Sequence, residues 1–128
     1  MIVAGIGCRK GASAMEIETA IAAALAKAGV AAKQLDAIAA PAAKAGEAGI
    51  AAAAIARGVK LVLVSQSDLV AAGVGAVTHS ERVMALTGVP SVAECAALAA
   101  TGAAGRLILA RLAVGPATCA LAIAGEPS

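Results

Sequence analysis

The 128-residue chain contains no phenylalanine, tyrosine or tryptophan. Its core must therefore be built from Leu, Ile, Val, Met and Ala. The same absence removes aromatic stacking on bases or sugars and so excludes the usual single-stranded nucleic-acid modules. Charge is scarce as well: 14% of residues are Asp, Glu, Lys or Arg, and the formal net charge is +2. That is too mild for the basic footprint of a nucleic-acid binder. Three cysteines occur, Cys8, Cys95 and Cys119. Their odd number and wide spacing give neither a disulfide framework nor a zinc pattern, and a reducing cytoplasm is the expected setting. The single histidine and scattered acids form no metal-ligand pattern, so neither a metal nor a cofactor is expected.

Long uncharged apolar runs are missing too, although 61% of the residues are hydrophobic. Glu16, Glu18 and Lys27 interrupt the first apolar region, and Lys44, Glu47 and Arg57 the second. No window of roughly 20 uncharged apolar residues is left to span a membrane. At the start, Arg9 and Lys10 follow the apolar run, the reverse of a signal peptide. Neither a membrane nor a nucleic acid is an expected partner.

What the chain does have is alternation. Ile2–Ile6 reads as a buried strand closed by glycine. Ser13-Ala-Met-Glu16 is a capping box, and a helix follows to about Ala28, where Gly29 stops it. Leu35–Ala40 is a second strand ended by Pro41, and Ala48–Arg57 a second helix closed by Gly58. Lys60–Val64 is the clearest strand, apolar and β-branched as a central parallel strand should be. Ser65-Gln-Ser-Asp68 starts a short helix to Ala72, Ser80–Leu86 forms another, and Pro90-Ser91-Val-Ala-Glu94 gives a second capping box before a helix to Ala100. Arg106–Val114 and Ala117–Ala124, joined by Gly115-Pro116, read as an antiparallel hairpin. The pattern predicts one α/β domain over residues 1–125. It is a three-layer sandwich with a mostly parallel sheet and a C-terminal antiparallel hairpin, followed by a loose tail at 126–128.

In such a sheet the carboxyl ends of the parallel strands carry function. GCRKG, PAAKAGE and SQSD should meet there. Their cations and hydroxyls, with backbone N–H groups at helix starts, suit a polyanion. An isolated loop of this kind reads equally well with Arg9 and Lys10 as solvated charges. GIGCRKG is one residue too long for a dinucleotide fingerprint, and no acid ends the second strand. Its Lys and Ser are misplaced for a phosphate loop.

Three residues are candidates for catalysis, each with a plainer alternative. Cys8 sits where a nucleophile elbow would place one, and nearby Arg9, Lys10 and a helix start would lower a thiol pKa. The G-C-R-K-G spacing does not match that elbow, and a small packed residue is the simpler reading. His79, in THSER, is either a base or a surface or capping side chain. Glu47 stands three residues after Lys44, so the two can pair across a turn or lie solvated. Glu16 and Glu94 are explained by their capping boxes.

These segments, taken in order, carry a resemblance. GIGCRKGASAMEI, KAGEAGI, KLVLVSQSDL, GVPSVAECAAL and TCALAIA resemble the series found in the CobE and CbiG C-terminal-domain family of cobalamin (vitamin B12) biosynthesis. The likeness spans nearly the whole chain and is nearest to the stand-alone CobE form. It implies a corrin or precorrin intermediate as ligand, with other enzymes of the pathway as possible partners. CbiG itself opens the ring-A lactone of a cobalt-precorrin with loss of acetaldehyde, and it carries additional N-terminal regions that these residues do not include. The family pattern carries over onto Gly5, Gly7, Cys8, Arg9 and Gly11, with Ser13 as the helix cap, and onto Lys44 and Glu47. Lys10 and Ser65 join the expected ligand-binding set from their place at the strand ends. Family chains often have a threonine-rich strand end before the lysine, and this one has Ala39-Ala40-Pro41. Three activities follow as alternatives: binding or processing of a corrin precursor, lactone hydrolysis with Glu47 or His79 as base, and transfer of an intermediate to a methyltransferase or mutase.

Overall fold

The structure is a computed structural model that describes residues 1–125. The loose tail expected at 126–128 lies outside the described residues. The strands are β1 (Ile2–Cys8), β2 (Ala37–Pro41), β3 (Lys60–Val64), β4 (Arg106–Val114) and β5 (Ala117–Ile123). They form one sheet in the order β3-β2-β1-β5-β4. β1, β2 and β3 are parallel, β5 is antiparallel to β1, and β4 and β5 make the C-terminal hairpin. The helices are α1 (Ala14–Ala28), α2 (Ala48–Arg57), α3 (Gln66–Ala72), α4 (Glu81–Thr87) and α5 (Val92–Thr101).

Alternation along the strands divides the core between two faces. Ala4, Ile6, Ile38 and Ala40 pack with Ile17, Ile21 and Leu25 of α1 and Ile50 of α2. Val3, Ala37 and Ala39 face the other way, onto Leu69 of α3 and Cys95 and Ala96 of α5. This is the expected three-layer α/β sandwich. The first capping box is present in full: Glu16 N donates to Ser13 Oγ at 3.1 Å, and Ser13 N donates to Glu16 Oε1 at 3.0 Å. Gly29 and Gly58 close α1 and α2 in the left-handed region, as their positions predict.

Three local expectations need correction. Lys60–Val64 is not central; it lies at the sheet edge with Leu63 exposed. The central places belong to strands rich in Ala and Gly, because helices press close on both faces there. A Val/Leu run records strand preference, not position in the sheet. β1 does not stop at Ile6 but runs to Cys8, so Gly5 and Gly7 are strand residues. Gly5 lies under α5, where a Cβ would overlap the Ala93 carbonyl oxygen and come within 2.6 Å of Ala97 N. Finally, the second capping box is half formed. Glu94 N donates to Ser91 Oγ at 3.4 Å, but the Glu94 carboxylate turns inward and is fully buried.

Candidate functional site

At the carboxyl ends of β1, β2 and β3 lies a cleft of about 670 Å³. Its walls come from the loops after β1 and β2, the start of α3, the helix α4, and the Gly115-Pro116 turn with the strand ends beside it. Four cations line it: Arg9, Lys44, Arg82 and Arg111. No carboxylate is among the lining residues, and among the described residues none of these four cations forms an ion pair. The remaining walls are partly aliphatic, with Leu69, Val83, Leu86 and Val92. A cation-rich, partly apolar hollow of this size holds an anionic organic molecule better than a bare inorganic ion.

The local folding that places these cations is visible bond by bond. Arg9 N donates to Pro116 O at 2.9 Å, which ties the first loop to the hairpin turn. Gly11 takes a left-handed φ of 81°, and its N–H donates to Glu47 Oε1 at 2.8 Å. Glu47 therefore joins the first loop to the second and forms no ion pair with Lys44. The Glu47 N–H bonds Lys44 O at 2.9 Å, closing the turn that carries Lys44. On the opposite wall, Gln66 Nε2 donates to Thr87 O at 2.7 Å and Ser80 caps α4 through Val83 N.

Beneath the cleft, the buried Glu94 carboxylate accepts four hydrogen bonds. Val77 N donates at 2.8 Å, Thr78 N at 2.9 Å, Thr78 Oγ1 at 2.5 Å and Arg111 N at 2.9 Å. Arg111 N is free for this because β4 shifts register against β5 between Leu109 and Leu112. Burial alone would raise the Glu94 pKa. The donors from Arg111, Thr78 and Val77 outweigh that effect and hold the carboxyl below its ordinary range.

The structure brings Gly7, Cys8, Arg9 and Lys44 to the cleft and leaves the other expected site residues outside its lining. Gly5 is packed under α5, Lys10 is exposed, Gly11 forms the turn and Ser13 caps α1. Glu47 is engaged with Gly11, and Ser65 caps α3 by accepting from Asp68 N at 3.2 Å. His79 lines a separate hollow of about 320 Å³ with Glu81, Met84 and Pro90. Cys8 is half-buried and its thiol pKa is raised: burial dominates, the Lys44 charge offsets part of it, and the Glu47 charge adds a smaller rise. The expected lowering of its pKa is thus reversed, because the thiol lies more in the strand than in the cationic loop. Cys119 is buried and its thiol is pushed up to about 12. On folded protein near neutral pH, iodoacetamide should modify Cys8 slowly and spare Cys95 and Cys119, as mass mapping of the alkylated chain would show.

Arg82 and Arg111 do not stand out by motif. Arg82 follows a cap signal that already accounts for its segment. Arg111 does leave a trace, since RLILARLAV places a cation inside an otherwise apolar strand, where a bulge or a site is the usual cause. Among the described residues, no three His, Cys, Asp or Glu side chains gather as a metal site, and no single helix is long and apolar enough to cross a membrane.

Fold and cleft together define a three-layer α/β protein with a cationic pocket at the carboxyl edge of its parallel strands. Comparison with known proteins gives that description a family. The family model described as "Cobalamin synthesis G C-terminus" matches residues 2–122. A crystal structure of CobE, a protein from the cobalamin (vitamin B12) biosynthetic pathway, is 30% identical with a TM-score of 0.91, covering 99% of this chain and 93% of that one. The cobalamin biosynthesis protein chiG from Agrobacterium tumefaciens str. C58 is 39% identical with a TM-score of 0.78, covering 98% of this chain and 100% of that one. The curated proteins contain no match to the chain. The chain belongs to the cobalamin biosynthesis family of CobE and the CbiG C-terminal domain.

Proposed function

We propose that the cleft binds a corrin-ring precursor, a precorrin-type tetrapyrrole, by its peripheral carboxylates. One observation carries the reading: Arg9, Lys44, Arg82 and Arg111 surround a partly aliphatic cleft that has no carboxylate of its own. Acetate and propionate groups around an apolar macrocycle present the complementary pattern, anionic rim on apolar plate. Charge-assisted hydrogen bonds to such groups are the stronger kind. Membership of a cobalamin biosynthesis family supports the same ligand class. Binding is favoured over lactone hydrolysis because the two candidate bases are placed elsewhere. Glu47 holds Gly11 N, and His79 lines the other hollow. Cys8 lines the cleft but is held as a thiol. A binding protein of this kind passes its ligand to, or receives it from, enzymes of the same pathway.

Absorbance titration with a corrinoid bearing free carboxylates, cobyrinic acid, tests the reading. Saturable binding is expected, weakened about tenfold in Arg9→Ala and again in Lys44→Ala, as the loss of one charge-assisted contact each implies. The same ligand should protect Cys8 from alkylation. Affinity indifferent to both substitutions, or equal binding of the fully methyl-esterified corrinoid, refutes carboxylate recognition at this site.

A further inference from the structure

Two of the four cleft cations sit on segments that ordinary secondary structure does not fix. Arg82 is exposed on α4, a short helix with no buried residue. Arg111 lies within a register shift in β4, where the ladder to β5 is interrupted. Both segments are tied to the same side chain. Val77 and Thr78, just before the α4 cap, and Arg111 itself all donate to the Glu94 carboxylate. Glu94 is 0% exposed and reaches these donors from α5, which packs against the central strands. Among the described residues it has no ion-pair partner. Its charge is thus neutralised by backbone N–H groups and one hydroxyl rather than by a cation.

From this geometry we infer that Glu94 is a positioning residue for ligand binding: one buried carboxylate sets the places of Arg82 on the helical wall and Arg111 on the strand wall of the cleft. The inference rests on the carboxylate-binding reading given above. Glu94 is fully buried and is not among the residues that line the cleft, so it acts only through the two arginines. Oxygen Oε1 is committed to the α4 approach through Val77 and Thr78, while Oε2 spans Thr78 and Arg111. A single side chain on a rigid helix therefore couples the helical wall to the bulged strand. Preorganising the two cations removes the ordering cost that free arginine side chains would add to binding.

The test compares Glu94→Gln, Glu94→Asp and Thr78→Val in the full chain, with two probes. Cobyrinic acid reports the macrocycle, and mellitate (benzenehexacarboxylate) reports carboxylate binding without a corrin ring. Glu94→Gln should weaken both probes about tenfold, and Glu94→Asp, which keeps the charge, should recover part of that loss. In an Arg82→Ala/Arg111→Ala background the Glu94→Gln step should cost less than about twofold more, because the residue acts through those two arginines. Hydrogen exchange without ligand should quicken at Val77, Thr78 and Arg111 while β1 and β2 stay protected. Should Glu94→Gln fail to fold, Thr78→Val carries the same comparison with a smaller expected loss, about threefold. Folded variants that bind both probes like wild type, or strictly additive losses with Arg82→Ala/Arg111→Ala, overturn the inference. Mellitate binding in the expected order without cobyrinic acid binding removes the macrocycle and leaves the positioning role standing. Binding of neither probe to wild type overturns both.

Discussion

Replacing Gly5 by alanine is expected to lower the melting temperature by roughly 10 °C, a stability loss of roughly 3 kcal/mol. One methyl group has this effect because of what it meets. A Cβ at Gly5 would overlap the Ala93 carbonyl oxygen, reach Ala97 N at 2.6 Å and touch Ala97 Cβ at 2.8 Å. Two of those neighbours are backbone atoms in the interior of α5 and cannot swing aside as a side-chain end would. The helix would have to lift off β1, opening the contacts that bury Cys95 and Ala96 against Val3, Ala37 and Ala39. Overpacking that moves backbone lies at the upper end of its usual cost. Gly46→Ala is the control, since a Cβ there meets nothing within 4 Å and its φ is not in the left-handed region. Calorimetric melting of both variants decides the matter. Equal melting temperatures would show that α5 does not sit as close to β1 as the structure has it.

That close approach also explains what the sequence could and could not convey. A chain without aromatic residues can still fill a core if its layers come together, and the alanine content is the visible sign of that. The alternation of strands and helices, the Ser13–Glu16 box and the glycine stops are local signals, set by residues a few positions apart. They are legible for that reason, and so is the antiparallel hairpin around Gly115-Pro116. Sheet order is not local. Nothing within KLVLV distinguishes an edge from a centre, whereas Gly5 under Ala93 distinguishes it at once, but only when both partners are known. The site divides along the same line. Arg9 and Lys44 are found from loops that follow strands directly. Arg82 and Arg111 arrive through α4 and a register shift, and both depend on a contact from Glu94 to residues 16 and 17 positions away. Glu94 reads locally as the acid of a capping box, and its N–H does bond Ser91 Oγ. Its carboxylate has stronger partners inside the fold, and tertiary donors win over the cap.

Those partners give Glu94 the other large predicted effect. Glu94→Ala should cost roughly 4 kcal/mol of stability at neutral pH, more than most single substitutions. The removed carboxylate leaves the part-buried N–H groups of Val77, Thr78 and Arg111 without their acceptor, together with a buried space where the side chain stood. A buried donor left unsatisfied costs about 1–3 kcal/mol, and these part-buried donors recover some of that from water and from relaxation of the loop before α4. Glu94→Gln keeps the shape and one acceptor oxygen but turns an NH₂ toward the other donors, so about half the loss is expected. The direction with pH follows from the folded pKa being lowered. Unfolded Glu94 takes a proton near pH 4.3, at roughly the ordinary glutamate value, and the folded carboxylate resists until lower pH. Its contribution is therefore whole above the unfolded value and is lost as pH falls through the folded one. Urea denaturation of wild type and Glu94→Gln should show a gap that is constant from near pH 7 to about pH 5 and narrows toward pH 3. A gap that widens on acidification would mean that the carboxyl is protonated in the folded protein and that its N–H partners do not hold the charge.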